Sequence, residues 1–294
     1  MSNYFCIVPV FKRVTLTKKF ISSIADAVLL HNVNIEIVIV DDDPTLSSLK
    51  FIDEFKLLSG ELINLTVIST SGDTWWCETV NAGLRYISDK VKDPDYVIIA
   101  NNDVEVSSNI FQELEKKIKE DPSRAYHPLT LNRFNGEYHS SGAKVITWFP
   151  YVTKHAKKLI ENNTMDVDLA TARFLTIPYS KMKLVDGISR NLVQYQGDND
   201  LSLKLKAVGC KTTVFPSAKC YLFDNDTGLK NENISSMKVL LSSLFSVRSA
   251  NNLKYRYKFV SNHFSRLFSI FVVLSMTINT ILKFFFNIVC KYEK

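Results

Sequence analysis

Glycine and proline are scarce in this chain of 294 residues, at nine and eight. The first apolar segment runs into VPVFKRVTLTKK without a single glycine. That excludes a glycine-rich triphosphate loop at the first strand, where residues without Cβ let backbone amides wrap the phosphates. The five cysteines, Cys6, Cys77, Cys210, Cys220 and Cys290, are odd in number and form no CxxC or Cys/His spacing. Neither a disulfide framework nor a zinc site is indicated, and a reducing compartment fits best. The start, MSNYFCIVPVFKR, lacks a basic segment followed by a long apolar one, so no signal peptide is expected there and the main domain is expected to stay in the cytoplasm. There is no internal repeat and no low-complexity tract. Acids are nearly missing from the end: Lys238 to Lys294 holds nine Lys or Arg against Glu293 alone. The formal charge of +6 therefore belongs to this tail, and the residues before it are net acidic. This argues against a nucleic-acid groove in the main domain and for an anionic surface, such as lipid, as a partner of the tail.

What is present is a hydrophobic content of 46%, enough for a sizeable core. Strand-like and helix-like patterns alternate through the first half. Strands are expected at Tyr4 to Val10, Ile35 to Val40, Leu65 to Ser69 and Tyr96 to Ala100. Helices are expected at Leu16 to Leu30, Leu46 to Leu58, Glu78 to Val91 and Ile110 to Ile118. Such alternation predicts an α/β fold, a mostly parallel central sheet with flanking helices, whose ligands gather at the carboxyl ends of the strands. After Pro122 the rhythm is irregular, with β-like pieces at Lys144 to Trp148 and Leu175 to Pro178. A helix follows near Asp200 to Val208, then strands Thr212 to Phe215 and Lys219 to Phe223. A domain over 1–234 and a basic helical tail over 235–294 are expected.

Four acidic stretches stand at these strand ends and helix starts. In IEIVIVDDDPTL, Asp41, Asp42 and Asp43 follow a buried strand. A two-acid strand end also opens response-regulator receiver domains, but a strand precedes this one and no Lys-Pro exists, so the spacing rejects that reading. A solvated turn with a helix-capping Asp stays open. In YVIIANNDVEV, Asn101-Asn102-Asp103 ends a strand, and a helix is expected to follow. In STSGDTWWCETVNAGLRYI, two adjacent tryptophans cannot both face one core, so Trp75 or Trp76 borders a cleft, or the pair divides between core and helix packing. In VQYQGDNDLSLKLKAVGCK, Leu201, Leu205 and Val208 form one apolar helical face, and Asp198 stands at the helix start, where capping is the simple alternative.

In order, these pieces resemble the inverting nucleotide-sugar glycosyltransferases of family 2 with the GT-A fold, and particularly the rhamnosyltransferase-like members that build bacterial surface polysaccharides. VPVFKR resembles VPVYNR, VDDDP resembles VVDDGS, GDTWWCETVNAGL is similar to GDLWWxGAxNxGL, and NNDVEV is similar to NNDTEF, a variant of the DxD motif. FLTIPYSKM resembles an acceptor-side strand and turn, GDNDLSLKLKAVG resembles EDxDLxLRxxxxG, and CYLFDNDTG resembles the segment closing the site. The resemblance implies that Asp42 hydrogen-bonds the donor base, that Asp103 binds a divalent Mg or Mn ion bridging two phosphates, and that Asp198 is the catalytic base. It places Pro9, Asp73, Trp76, Asn81 and Asn102 around the donor, and leaves Asp224 and Asp226 open as further ligands. Asn102 departs from the commoner first Asp of DxD, Gly197 from the Glu before the base, and Lys204 from an Arg. Because Asn102 is a neutral ligand, metal affinity is expected to be modest.

The uncharged run Leu267 to Leu282 would reach about 24 Å as a helix, against roughly 30 Å of hydrocarbon. Ser275, Asn279, Lys283 and Asn287 draw a polar stripe along it, and Arg248, Lys254, Arg256, Lys258 and Arg266 add basic residues beside Tyr255 and Tyr257. This suits a helix lying peripherally on the cytoplasmic face of a bacterial inner membrane, near a lipid-linked glycan acceptor as the resemblance implies. Packing onto the main domain or onto a second copy is the alternative. Two rival functions stay open: a sugar-nucleotide nucleotidyltransferase, against which the glycine-free first loop speaks, and a noncatalytic membrane-bound sugar-nucleotide-binding scaffold, which Gly197 and Asn102 would suit.

Overall fold

The run YFCIVPV forms β1 (Tyr4–Val10), with all seven residues buried. A strand covered on both faces needs no polar alternation, which is why it reads as a continuous apolar segment. β2 (Ile35–Asp41) and β4 (Tyr96–Ala100) have the same character and flank β1 in parallel. β3 (Ile63–Ser69) extends the parallel set beyond β2 and is half-exposed, as an outer strand is. The computed structural model describes residues 3–47, 61–156, 163–223, 234 and 236–292, with the backbone alone from 288 on. The helix expected over Leu46 to Leu58 lies largely outside these residues.

Two cores sandwich the sheet. On one face α1 (Val14–His31) buries Phe20, Ile21, Ile24, Ala27 and Val28, which recur at helical spacing, together with Phe111 and Leu114 of α3 (Ile110–Glu120). On the other face α2 (Trp75–Ile87) lies so close that a Cβ on Gly83 would stand 2.5 Å from Ile7 Cγ2. The short α4 (Tyr179–Met182) and α5 (Gly197–Ala207) share this face.

The second half of the sheet is mixed. Among the described residues the order runs β3-β2-β1-β4-β11-β6-β12-β5, with β9 (Met165–Val167) also against β12. β11 (Arg173–Pro178) is antiparallel to both β4 and β6 (Ala125–Asn132). β12 (Thr212–Leu222) is one strand, not the two expected, with its register shifted between Phe215 and Lys219. After Asp103 the chain enters β5 (Val104–Val106) before reaching a helix; three residues are too few to show a period, so the sequence showed only the helix. β5 pairs antiparallel with β12 and so draws the chain after β4 across the top of the sheet. A small second sheet joins β10 (Leu169–Ala170), β7 (Gly142–Thr147) and β8 (Val152–His155).

α6 (Met237–Phe245), α7 (Leu253–Ser261) and α8 (Arg266–Tyr292) complete the described chain. Tyr255, Phe259, Val272, Val273 and Met276 join the same hydrophobic cluster as Ile7 and Val38, so these helices pack onto the sheet's own core. The first half of the polar stripe of α8 faces inward, with Tyr151 N–H donating to Ser275 Oγ at 2.8 Å and Asn279 Nδ2 donating to Tyr151 O at 2.8 Å, whereas Lys283 and Asn287 are exposed. Arg256 is buried too, donating to Asn251 Oδ1 and Thr280 Oγ1, and is not a member of the expected basic surface. Leu267, Ile270, Phe271, Leu274, Ile278 and Leu282 point outward instead.

Candidate active site

The carboxyl ends of β1, β2 and β4, the start of β11 and the amino ends of α2 and α5 meet in one region. This is the edge where strand order turns from β1 toward β2 on one side and β4 on the other, the usual ligand position in such sheets. Pro9 sits buried near the end of β1, beside Val40 of β2.

Asp42 ends β2 with 5% of its surface exposed and does not present a free carboxylate. Its Oδ1 accepts from Gly72 N at 2.9 Å, from Thr70 Oγ1 at 2.6 Å and from the amide and hydroxyl of Thr74. Its Oδ2 accepts from Trp75 N at 3.0 Å. Burial alone would raise its pKa, but the donors of Thr70, Thr74 and Trp75 outweigh it and hold the group below its ordinary value. Through these bonds Asp42 ties the 70–75 loop to the strand. Asp41 accepts from Asp43 N at 3.0 Å, and Asp43 accepts from the Thr45 amide and hydroxyl, so these two fold oxygens onto their own turn. Asp73 stands exposed at the rim of the same loop, bonded to Ser71 Oγ.

The loop that Asp42 fixes aims the tryptophans. Trp75 takes a left-handed φ of 61°, a conformation uncommon for a bulky residue and held by its amide bond to Asp42. Trp76, next in line, reaches across the cleft floor. Its Nε1 donates to Asn101 Oδ1 at 3.0 Å, just past β4, while its ring lies against the start of α5, 2.9 Å from where a Cβ on Gly197 would be. Cys77 Sγ would be closer still, at 2.6 Å. Glycine at 197 is therefore a packing requirement, and the missing Glu is no mark of lost function. Asn81 points away from the cleft: Nδ2 donates to Ile188 O and Oδ1 accepts from Ile188 N, both at 2.9 Å, pinning the 187–188 turn. Asn102 is also turned inward, 7% exposed, and donates to Thr17 Oγ1 of α1 at 2.8 Å.

Asp103 faces the cleft, with 17% of its side chain exposed and Arg13 Nη1 at 3.8 Å. Among the described residues no three His, Cys, Asp or Glu form a ready-made metal cage. One carboxylate at a diphosphate site fits a hard cation that takes one or two carboxylates and completes its shell with substrate phosphates. Asp224 and Asp226 lie outside the described residues.

Asp198 occupies the first turn of α5, one residue inside it. Gln196 holds the cap position in a left-handed conformation without a side-chain cap bond, so Asp198 is not the N-cap. It accepts from Asn199 N at 2.9 Å. Burial raises its pKa, opposed by the amides of Asn199 and Ala172 and by the charge of Arg173. Asp200, two residues on, is fully buried and structural: it accepts from the Ser189 amide and hydroxyl and pairs with His263 of the C-terminal segment at 2.9 Å.

Arg173, at the start of β11, joins the two halves of the site. Burial lowers its pKa, and the charges of Asp103 and Asp198, in that order, pull it back. Both acids therefore act on one guanidinium. The sequence signal was a single cation in the otherwise uncharged run LATARFLTIP, which the motif comparison bypassed by starting at Phe174.

The protein-family model for Glycosyl transferase family 2 matches residues 5–175, more than half of the chain. The chain belongs to this family. The match runs from β1 through the first half of β11, taking in Asp42, Trp76, Asp103 and Arg173 but ending before Asp198. No curated protein sequence matches the chain. Solved structures share its GT-A arrangement. That of GalNAc-T7 with UDP, GalNAc and Mn2+ superposes with a TM-score of 0.57 at 15% identity, over 89% of this chain and 55% of that one. That of residues 1–349 of TarS from S. aureus in complex with UDP has a TM-score of 0.55 at 14% identity, over 90% and 73%. The same TarS fragment with UDP-GlcNAc gives 0.53 at 13%. The chain spans little more than half the length of the GalNAc-T7 chain. At these identities the superpositions establish the fold of this family 2 member.

Proposed function

We propose that this family 2 protein transfers a sugar from a nucleotide-diphosphate donor to an acceptor hydroxyl by a single displacement that inverts the anomeric centre. The observation that carries the reading is that both acids adjoin the start of β11: Asn101, two residues before Asp103, donates its amide to Ala172 O at 3.1 Å, and the Ala172 amide bonds Asp198. As in the family pattern, Asp103 stands at the donor edge after β4 and Asp198 on the helix across the cleft. A Mg or Mn ion held by Asp103 and the diphosphate would stabilise negative charge on the leaving group. Asp198 accepts the proton of the attacking hydroxyl, and a pKa raised by burial makes it a stronger base. Trp76 forms the floor between them and fixes Asn101 beside the metal carboxylate.

The acceptor is a lipid-linked glycan, and the enzyme sits on the cytoplasmic face of the membrane through α8. The support is the direction of that helix: its polar stripe bonds Tyr151 while an apolar stripe with Phe271, Leu274 and Ile278 is exposed. Arg266–Asn287 is long and apolar enough to cross a membrane, but one side is held by the domain, which favours lying in the interface. Exposed Phe149, whose ring is 5.8 Å from that of Phe271, broadens the patch. Rhamnose as the sugar and a surface polysaccharide such as O-antigen or capsule as the product follow from the tryptophan-pair resemblance.

A thermal-shift panel with UDP, dTDP and GDP, each with and without Mn or Mg, tests the donor reading. One nucleotide is expected to stabilise the protein, more with metal; stabilisation by none rejects a nucleotide-sugar enzyme. In vesicle flotation, wild type is expected to float with anionic vesicles and the variant Phe271→Ser, Leu274→Ser, Ile278→Ser to stay at the bottom. Equal flotation of both removes α8 as the anchor.

A further inference from the structure

We propose that Arg173 is a donor-binding residue that takes an anionic oxygen of the nucleotide sugar at the centre of the cleft, a contact resting on the donor reading above. Three observations converge on it. It stands between the two acids along the chain: it pairs with Ala100 of β4, and its neighbour Ala172 accepts from Asn101 N at 3.1 Å and donates its amide to Asp198. Its Nη1 donates to Ser140 O, but its buried Nε has no hydrogen-bond partner among the described residues. A buried donor left unmatched costs roughly 1–3 kcal/mol, and an unmatched donor on a charged group in a cleft is explained by a partner that arrives with the ligand. Finally, the backbone at this point is irregular. Arg173 pairs with Ala100 of β4, the register shifts before Leu175, and the intervening Phe174 is fully buried at a left-handed φ of 70°. Such a bulge re-aims the neighbouring side chain, and a bulky residue in that conformation is tolerated where placement matters.

Around Arg173 are Asp103, Asp198, Cys220 and Tyr138; Cys220 Sγ lies 3.6 Å from the Arg173 carbonyl, and burial keeps its thiol protonated. A cation bound with the diphosphate would draw on the negative charge of Asp103 and leave the guanidinium with less to balance it. Arginine's planar fork suits a phosphate or a carboxylate equally. The anionic oxygen therefore belongs either to the diphosphate or to a carboxylate on the transferred sugar.

Isothermal titration of wild type, Arg173→Lys and Arg173→Gln separates these sources, with folding of each variant checked by circular dichroism and melting temperature. The ligands are UDP, UMP, UDP-glucose and UDP-glucuronate, or the dTDP and GDP counterparts if the panel selects another base. If the diphosphate is the partner, Arg173→Gln weakens nucleoside diphosphate binding roughly 10- to 100-fold and leaves the monophosphate unchanged, with Arg173→Lys intermediate. If a sugar carboxylate is the partner, the diphosphate binds all three proteins alike and only the uronate sugar nucleotide loses affinity. A folded Arg173→Gln that binds every ligand as wild type does overturns the proposal and leaves Arg173 a counter-ion of the two acids. Wild type binding no nucleotide would instead sink the donor reading, and this contact with it.

Discussion

The acids after β2 and the acids of the cleft are the same residue type at the same sort of place in the fold, yet they have opposite surroundings. Asp41, Asp42 and Asp43 are at most 5% exposed, and their carboxylates are met by amides and hydroxyls of their own turn and of the 70–75 loop. Asp103 and Asp198 are partly exposed, and their charges act on Arg173. What separates a structural carboxylate from a reacting one is the number of N–H and O–H donors that neighbours aim at it, and that number depends on a loop thirty residues away in sequence.

The sharpest way to break this contrast is to neutralise one acid of each kind. Asp198→Asn is expected to lower the transfer rate by roughly 10²- to 10⁴-fold while nucleotide titration and melting temperature stay near wild type. Unchanged transfer would remove Asp198 as the base. Asp42→Asn is expected to do the reverse first: it loses charge-assisted acceptors buried under the loop, lowering denaturant stability by about 2–3 kcal/mol. If Asp42→Asn were as stable as wild type yet bound nucleotide weakly, the carboxylate would be a donor contact after all.

Gly197 sharpens the comparison from the other side. Gly197→Ala sets a Cβ against Cys77 Sγ and the Trp76 ring, and overpacking of this kind costs about 1–3 kcal/mol. Chemical denaturation measures it, and a stabilised variant would show that the glycine is not there for packing. Asp200 supplies a pH test. Its folded pKa lies at about 2 against an ordinary 3.8, because His263, the Ser189 donors and Lys204 outweigh its burial. Its contribution is therefore present above about pH 4 and is lost as pH falls toward 2, an effect of about 2 kcal/mol. Acid denaturation of Asp200→Asn should show a flatter limb in that window than wild type. The smallest effect is expected for Trp76→Phe, which keeps the ring packing but loses the bond to Asn101, at about 1 kcal/mol in stability.

Much of the scaffold was legible because buried parallel strands write themselves as unbroken apolar runs: β1 and β4 have the expected ends, and β2 is one residue longer. α2 was expected to start at Glu78, but it begins at Trp75: Thr74 holds the cap position without a side-chain cap bond, its hydroxyl being given to Asp42. The positions of Asp103 just past β4 and of Asp198 in the first turn of α5 were legible from the order of motifs. The duties of Asn81 and Asn102 were not, because an amide side chain is equally suited to a ligand and to a backbone turn, and the partners Ile188 and Thr17 are remote in sequence. The inward half of the polar stripe of α8 was hidden for the same reason: period gives a face, but only the neighbouring Tyr151 says which way it looks.

Trp76 touches Asn101 at the donor edge and the first turn of the Asp198 helix at once. Its indole is thereby a built-in optical reporter: occupancy of either side should alter the same emission band. Wild-type fluorescence during nucleotide titration, with Trp76→Phe as the control that keeps only Trp75 and Trp148, would time donor arrival and cleft rearrangement without any added label.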